Sequence, residues 1–158
     1  MTRDELGQLI VNSEQTLYNV AKSLLYNDSD CSDAIQEAIV KAFAKIHTLK
    51  KDEYAKTWLI RILINECYGI LRHQKRIVAL DDYADNLVSE TQSDYSDLYE
   101  SIMHLNEDQR VSIVLYYLEG YSIKEIADLQ NSTESAIKKR LARARGKLKI
   151  DLEGGLAL

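Results

Sequence analysis

Two small all-α domains joined by an acidic linker are the fold this 158-residue chain predicts, and three observations predict it. Proline is absent and glycine occurs only six times, so little interrupts a helix. Hydrophobic residues make up 46% and charged residues 28%, which suits packed cores and not overall disorder. The apolar residues recur at helical spacing along most of the chain. All-β architectures are disfavoured, and the length is too short for a large α/β barrel.

Leu17, Ala21, Leu24 and Leu25 fall on one helical face, and Ile35, Ala38, Ile39, Ala42, Phe43 and Ile46 form a second, longer amphipathic run. The polar cluster Asn27, Asp28, Ser29, Asp30 breaks them apart. The longer helix opens with Asp30 and Asp33 and closes with Lys41 and Lys45, the order that suits its dipole. A third helix spans Thr57 to Leu71 and turns basic at Arg72, Lys75 and Arg76. These elements make a first domain over residues 1–76, near the small end of what folds alone.

Residues 77–97 read as the linker, because Val78 to about Tyr95 is acidic and lacks sustained periodicity. The second domain, 98–158, begins with a helix marked by Leu98, Ile102 and Leu105. Asn106 and Gln109 make a capping box for the next helix, which carries Val111, Ile113, Val114, Tyr117 and Leu118 and stops at Gly120. Ser122 and Glu125 form a second box, opening a short helix with Ile123, Ile126, Ala127 and Leu129. Asn131, which tolerates a left-handed backbone, supplies the turn. Ser132 or Thr133 then caps a last helix running to about Ile150.

Net charge is −5, which by itself argues against a nucleic-acid partner, but the charges are segregated. Seven acids and no base lie between Ile77 and Glu100; without them, twenty bases against eighteen acids leave +2. Seven bases and no acid lie between Lys138 and Lys149. In the last helix Ile137, Leu141, Ala144 and Leu148 form a packing stripe, and the bases surround it on three sides. A short helix, a tight turn and a basic second helix follow the helix-turn-helix plan, in which the second helix enters the major groove. Ser135, Lys139 and Arg140 sit toward its N-terminal half, where side chains reach base edges. Lys138, Arg143, Arg145 and Lys147 suit phosphate contacts. The bland alternative is a solvated basic helix with one buried face.

The helix around Asp33 has a second stripe of Asp33, Gln36, Glu37, Val40, Lys41 and Ala44, mixed in polarity, which suits either a protein contact or solvent. Trp58 and Tyr68 lie among Lys56, Arg61, Arg72, Lys75 and Arg76, and aromatics beside bases suit single-stranded nucleic acid. For Trp58 itself, a core tryptophan beside a solvated basic helix end is the better reading. No run approaches the ~18 apolar residues that a bilayer span needs, and the N-terminal residues do not read as a signal peptide. A cytoplasmic protein without membrane insertion is therefore expected. Cys31 and Cys67 are far apart, and no spacing with His47, His73 or His104 would hold a metal. Without a catalytic triad, metal cluster or Gly-rich phosphate loop, no enzyme activity, cofactor or metal is expected.

The run DAIQEAIVKAF from Asp33 to Phe43, TWLIRILIN from Thr57 to Asn65 and LRHQKR from Leu71 to Arg76 resembles domain 2 of the sigma-70 family. The run from Leu105 to Leu148 resembles domain 4 of that family's extracytoplasmic-function (ECF) group. The resemblance implies an alternative sigma factor that binds RNA polymerase core and recognises the minus-10 and minus-35 promoter elements. It implies that Asp33, Gln36, Glu37 and Lys41 dock on the β′ clamp, with the β flap as a further polymerase contact. It implies a base-capturing minus-10 loop at His47, Thr48, Lys50, Lys51 and Tyr54, with Trp58 and Asn65 beside it. Arg72, Lys75 and Arg76 would hold the surrounding DNA backbone, and the last helix would read the minus-35 duplex. An anti-sigma factor is a further implied partner.

The chain departs from the family pattern in three places. Asn106 stands where proline is usual, Asn131 where glycine is common, and the loop HTLKKDEY lacks a usual glycine. A stand-alone helix-turn-helix regulator is the alternative, but it leaves the Asp33 stripe and the Trp58–Arg76 helix unexplained. A sigma-like interaction module without promoter recognition is the third reading.

Overall fold

Helix α1 (Arg3–Asn12) opens with a signal that hydrophobic spacing does not reveal. The Glu5 amide donates to Thr2 Oγ1 at 3.1 Å, and the Thr2 amide donates to the Glu5 carboxylate at 3.3 Å, a reciprocal capping box. Only Leu6 of this helix is buried. In this computed structural model the described residues are 1–80 and 96–156. The acidic stretch predicted as the linker lies largely outside them.

Helix α2 (Glu14–Leu25) buries Leu17, Val20, Ala21, Leu24 and Leu25, the face its spacing predicts. It ends at Tyr26, whose φ of 61° turns the chain sharply into α3 (Asp28–Ala44). Asn27 caps α3 by accepting from the Asp30 amide at 3.1 Å. Lys22, which polarity alone would place in water, is 1% exposed beneath this turn. Its ammonium pairs with Asp28 at 2.9 Å, donates to the Tyr26 carbonyl at 2.5 Å and lies 4.7 Å from the Tyr26 ring centroid. A buried charge needs such partners.

Two short 3₁₀ turns, Ile46–Thr48 and Asp52–Tyr54, lead into α4 (Ala55–Leu80). Neither turn carries a periodic pattern. Helix α4 buries Leu59, Ile60, Leu63, Ile64 and Cys67, and it packs against α2 and α3. It is longer than the Thr57–Leu71 span predicted, and Ile77 to Leu80 are helical and exposed. Helical backbone propagates easily once a long helix is packed.

The described helices fall into two compact units, α1–α4 and the helices after residue 95. The second unit begins with α5 (Ser96–Ile102), followed by α6 (Glu107–Ile113). The predicted Asn106–Gln109 box is present in both directions, at 2.9 and 3.3 Å. Beyond α6 the helix widens into a π turn over Val114–Leu118, where the Glu119 amide reaches back to Val114 at 3.1 Å. This alters one expectation. A π turn accommodates an extra residue and rotates the side chains beyond it, so Tyr117 and Leu118 are 52% and 42% exposed while Leu115 is buried.

Gly120, with φ of 72°, ends the segment. The Ser122–Glu125 box starts α7 (Ile123–Leu129), with both hydrogen bonds at 3.1 Å. Asn131, with φ of 50°, makes the predicted left-handed turn. Thr133, and not Ser132, caps α8 (Glu134–Leu156) by accepting from the Ala136 amide at 3.1 Å. Ile137, Leu141 and Ala144 are buried as predicted, and α8 packs on α5, α6 and α7.

Candidate nucleic-acid interface

In the second unit, α8 presents its cations outward. Ser135, Lys138, Lys139, Arg143, Arg145 and Lys147 are exposed, and Arg140 is half-buried. Burying Ile137, Leu141 and Ala144 forces this, because those residues hold one side of the helix against its neighbours. The cations are not equivalent. Arg145 donates to the Tyr117 hydroxyl at 3.0 Å, and Lys147 donates to Gln109 Oε1 at 3.4 Å. Arg140 donates from Nη1 to Gln130 Oε1.

Gln130, Gln109 and Tyr117 are polar anchors that the sequence reading missed. Their pairing depends on how α6, α7 and α8 meet, and no local spacing reports it. Lys139, Arg140 and Arg143 line one wall of a cleft of about 300 Å³, opposite Asn106, Asp108 and Gln109.

In the first unit, Asp33, Gln36 and Glu37 are exposed together on α3, beside the exposed Val40. Lys41, the fourth member of that stripe, is ion-paired with Glu66 of α4. The hydrogen bond to Glu66 raises its ammonium pKa above the ordinary lysine value. A second tie between the same helices runs from Gln74 Nε2 to Asp30 at 2.7 Å. An apolar groove of about 400 Å³, lined by Ile10, Leu17, Ile35 and Ile39 among others, adjoins the stripe at Gln36.

His47, Thr48, Lys50, Lys51 and Tyr54 are all exposed across the two 3₁₀ turns, with Tyr54 at 57%. Trp58 is half-buried one turn into α4, and Asn65 is exposed farther along it. Arg72, Lys75 and Arg76 are exposed on the distal part of α4. The first unit therefore carries an acidic-polar patch on α3 and a strip of exposed basic residues, with the exposed Tyr54 and the half-buried Trp58, from the turns along α4.

The two cysteines are buried, Cys31 in the wall of the apolar groove. Burial pushes the Cys31 thiol up to about 12 and raises Cys67 strongly. Burial, then the hydrogen bond to Asp28, pushes Tyr18 up to about 12. Among the described residues no cluster of His, Cys, Asp and Glu could hold a metal ion, and no helix is long and apolar enough to cross a membrane.

Comparison with known proteins matches residues 9–77 to the Sigma-70 region 2 model and residues 95–148 to the Sigma-70 region 4 model. The RNA polymerase sigma factor SigV of Bacillus subtilis is 30% identical over 96% of this chain and 93% of its own. The ECF RNA polymerase sigma factor SigM of Mycobacterium tuberculosis is 28% identical over 92% of this chain and 76% of its own. Among solved structures, the sigma factor RpoE of Bartonella quintana, in complex with the anti-sigma factor NepR, matches with a TM-score of 0.82. It is 28% identical, with 94% of this chain and 97% of that one covered. Members of this family are transcription initiation factors and not catalytic enzymes. With both sigma regions present in order and a 30% identical relative matched over 96% of this chain, the chain belongs to the sigma-70 family, in its ECF group.

Proposed function

We propose that this chain binds bacterial RNA polymerase core in the cytoplasm and directs it to promoters carrying its minus-10 and minus-35 elements. The observation that carries the reading is the presence of both sigma regions, in order, in one chain. The exposed Asp33, Gln36 and Glu37, with Lys41 held at their edge by Glu66, are the β′ clamp contact. The β flap is the second polymerase contact.

His47, Thr48, Lys50, Lys51, Tyr54, Trp58 and Asn65 receive the opened minus-10 strand, with Arg72, Lys75 and Arg76 on its backbone. The exposed Tyr54 and the half-buried Trp58 beside bases support this assignment, because stacking and charge neutralisation both favour single strands. Ser135, Lys138, Lys139, Arg140, Arg143, Arg145 and Lys147 meet the minus-35 duplex. Functionally, residues 1–76 and 98–158 are the two promoter-binding modules, and 77–97 the connector. Tethering two weak contacts on one chain raises their effective concentration. The chain catalyses nothing itself; chemistry belongs to the polymerase. An anti-sigma factor, as bound to RpoE of Bartonella quintana, is the regulatory partner.

Run-off transcription with purified core polymerase, on DNA from upstream of this chain's own gene, tests the reading. Discrete transcripts that require the protein support it. Failure to bind core would overturn it in favour of a stand-alone regulator. Replacing Lys139 and Arg143 by Ala lowers transcription from a minus-35-dependent promoter and leaves core binding intact.

A further inference from the structure

The guanidinium of Arg140 is anchored through a chain of hydrogen bonds that crosses three elements. Arg140 Nη1 donates to Gln130 Oε1, and Gln130 Nε2 lies 2.9 Å from Ser112 Oγ. Ser112 is fully buried, and its hydroxyl donates to the Asp108 carbonyl at 2.7 Å. The proton count fixes the direction of the outermost link. Arginine offers only donors, so the carboxamide oxygen of Gln130 must face it. The Ser112 hydroxyl, which both donates and accepts, lies 2.9 Å from Gln130 Nε2 and 3.1 Å from Gln130 Oε1, so it ties the Gln130 carboxamide to the buried wall of α6. Gln130 therefore has one orientation, set by Arg140, and it is held in place from the interior by Ser112.

Arg140 also occupies a particular side of α8. On the helical period Ser135, Lys139 and Gly146 form the outward centre, whereas Arg140 lies on the flank beside the buried Ile137–Leu141–Ala144 stripe. There it borders the cleft it shares with Lys139 and Arg143. A flank position suits a phosphate at the groove wall better than a base edge at the groove floor. A guanidinium already held in place also loses less side-chain entropy on contact.

We propose that Gln130 is a positioning residue for promoter binding: it presets Arg140 as a phosphate clamp that fixes how α8 seats on the minus-35 duplex. Arg140 then supplies affinity and leaves base choice to the outward residues. The inference rests on the sigma reading above, and it adds a residue from the turn before the recognition helix to the DNA-binding machinery.

The test is a double-mutant cycle in holoenzyme reconstituted from core polymerase and the full chain. Promoter affinity is measured against salt and against a library of minus-35 sequences. Arg140→Ala weakens all sequences about tenfold and reduces the slope of log affinity against log salt by about 0.9. Gln130→Met, which keeps length and volume, weakens binding by less. Adding it to Arg140→Ala has no further effect, which is the signature of a residue acting through another.

Thermal melting of each variant establishes that the unit is folded. If Gln130→Met melts early, the same cycle run with Gln130→Ala, which also removes the acceptor for Arg140, replaces it. Additive effects in the cycle overturn the role of Gln130. A loss of preference confined to one base pair overturns the phosphate assignment. Loss of promoter-directed initiation by the unsubstituted holoenzyme would instead overturn the sigma reading, so the two failures are distinct.

Discussion

In the first unit α3 and α4, 17 and 26 residues long, meet along apolar stripes that bury Ala34, Ala38 and Ala42 on one side and Leu59, Leu63 and Cys67 on the other. In the second, α6 and α7 have seven residues each, and each begins with a reciprocal capping box. A seven-residue helix spans barely two turns, so its four orphan amides are most of its backbone donors. Local caps must settle them. A 26-residue helix has the same four orphans against many internal hydrogen bonds, so packing dominates. The two units should therefore fail differently: the first through its core, the second through its turns and caps.

The largest effect belongs to the first unit's core. Leu63→Ala should cost about 3 kcal/mol, read by urea unfolding followed through Trp58, the chain's only tryptophan. A loss below about 1 kcal/mol, the scale of a single cap, would mean that packing does not dominate α4. Alkaline pH probes the same core. Cys31, Cys67 and Tyr18 have folded pKa values above their unfolded ones, so the unfolded chain releases these protons first. The stability they confer is whole below the unfolded pKa near 9 for the thiols and is lost as pH climbs toward 12. The Trp58 transition should therefore weaken steadily above pH 9, and Cys31→Ala should flatten that dependence. An unchanged dependence in the variant would assign it elsewhere.

In the second unit the turn comes next. Asn131→Val forces a β-branched residue into a left-handed backbone and should cost about 1–2 kcal/mol, whereas Asn131→Gly should be close to neutral. Circular dichroism melts of the full chain distinguish the two. Ser122→Ala, which removes the α7 cap, should cost about 1 kcal/mol by the same melts. If Asn131→Val and Ser122→Ala both leave the melts unmoved, caps and turns are not what organise these short helices.

Most of the helix starts and stops of the second unit were legible because their signals are local. Asn106 with Gln109, Ser122 with Glu125, Gly120 and Asn131 each act within a few residues. What escaped the sequence was either nonlocal or nonperiodic. Helix α1 buries one residue, Leu6, too few to make a stripe, although its Thr2–Glu5 box was there to read. Lys22 is inside because Asp28 and the Tyr26 carbonyl meet it, and a polarity pattern cannot report that. The π turn shifted Tyr117 and Leu118 outward because a uniform period assumes no extra residue.

The candidate site divides the same way. The exposure of the cations on α8 follows from their spacing against Ile137, Leu141 and Ala144. That Arg140, Arg145 and Lys147 are tied back, each by a partner on another element, required three dimensions.

The widened turn at Val114–Leu118 also bears on how this chain would take a change in length. A π turn is an α-helix that has absorbed an insertion, so dropping one residue there restores the ordinary period without uncoupling the flanking segments. Its far end is pinned by the Tyr121 amide on the Leu115 carbonyl at 2.9 Å, and its near end is continuous with α6. An insertion or deletion here is absorbed as a change in which side chains face outward, Tyr116 and Tyr117 first. The segment can thus exchange its exposed aromatic surface for another while the capped helices on either side keep their places.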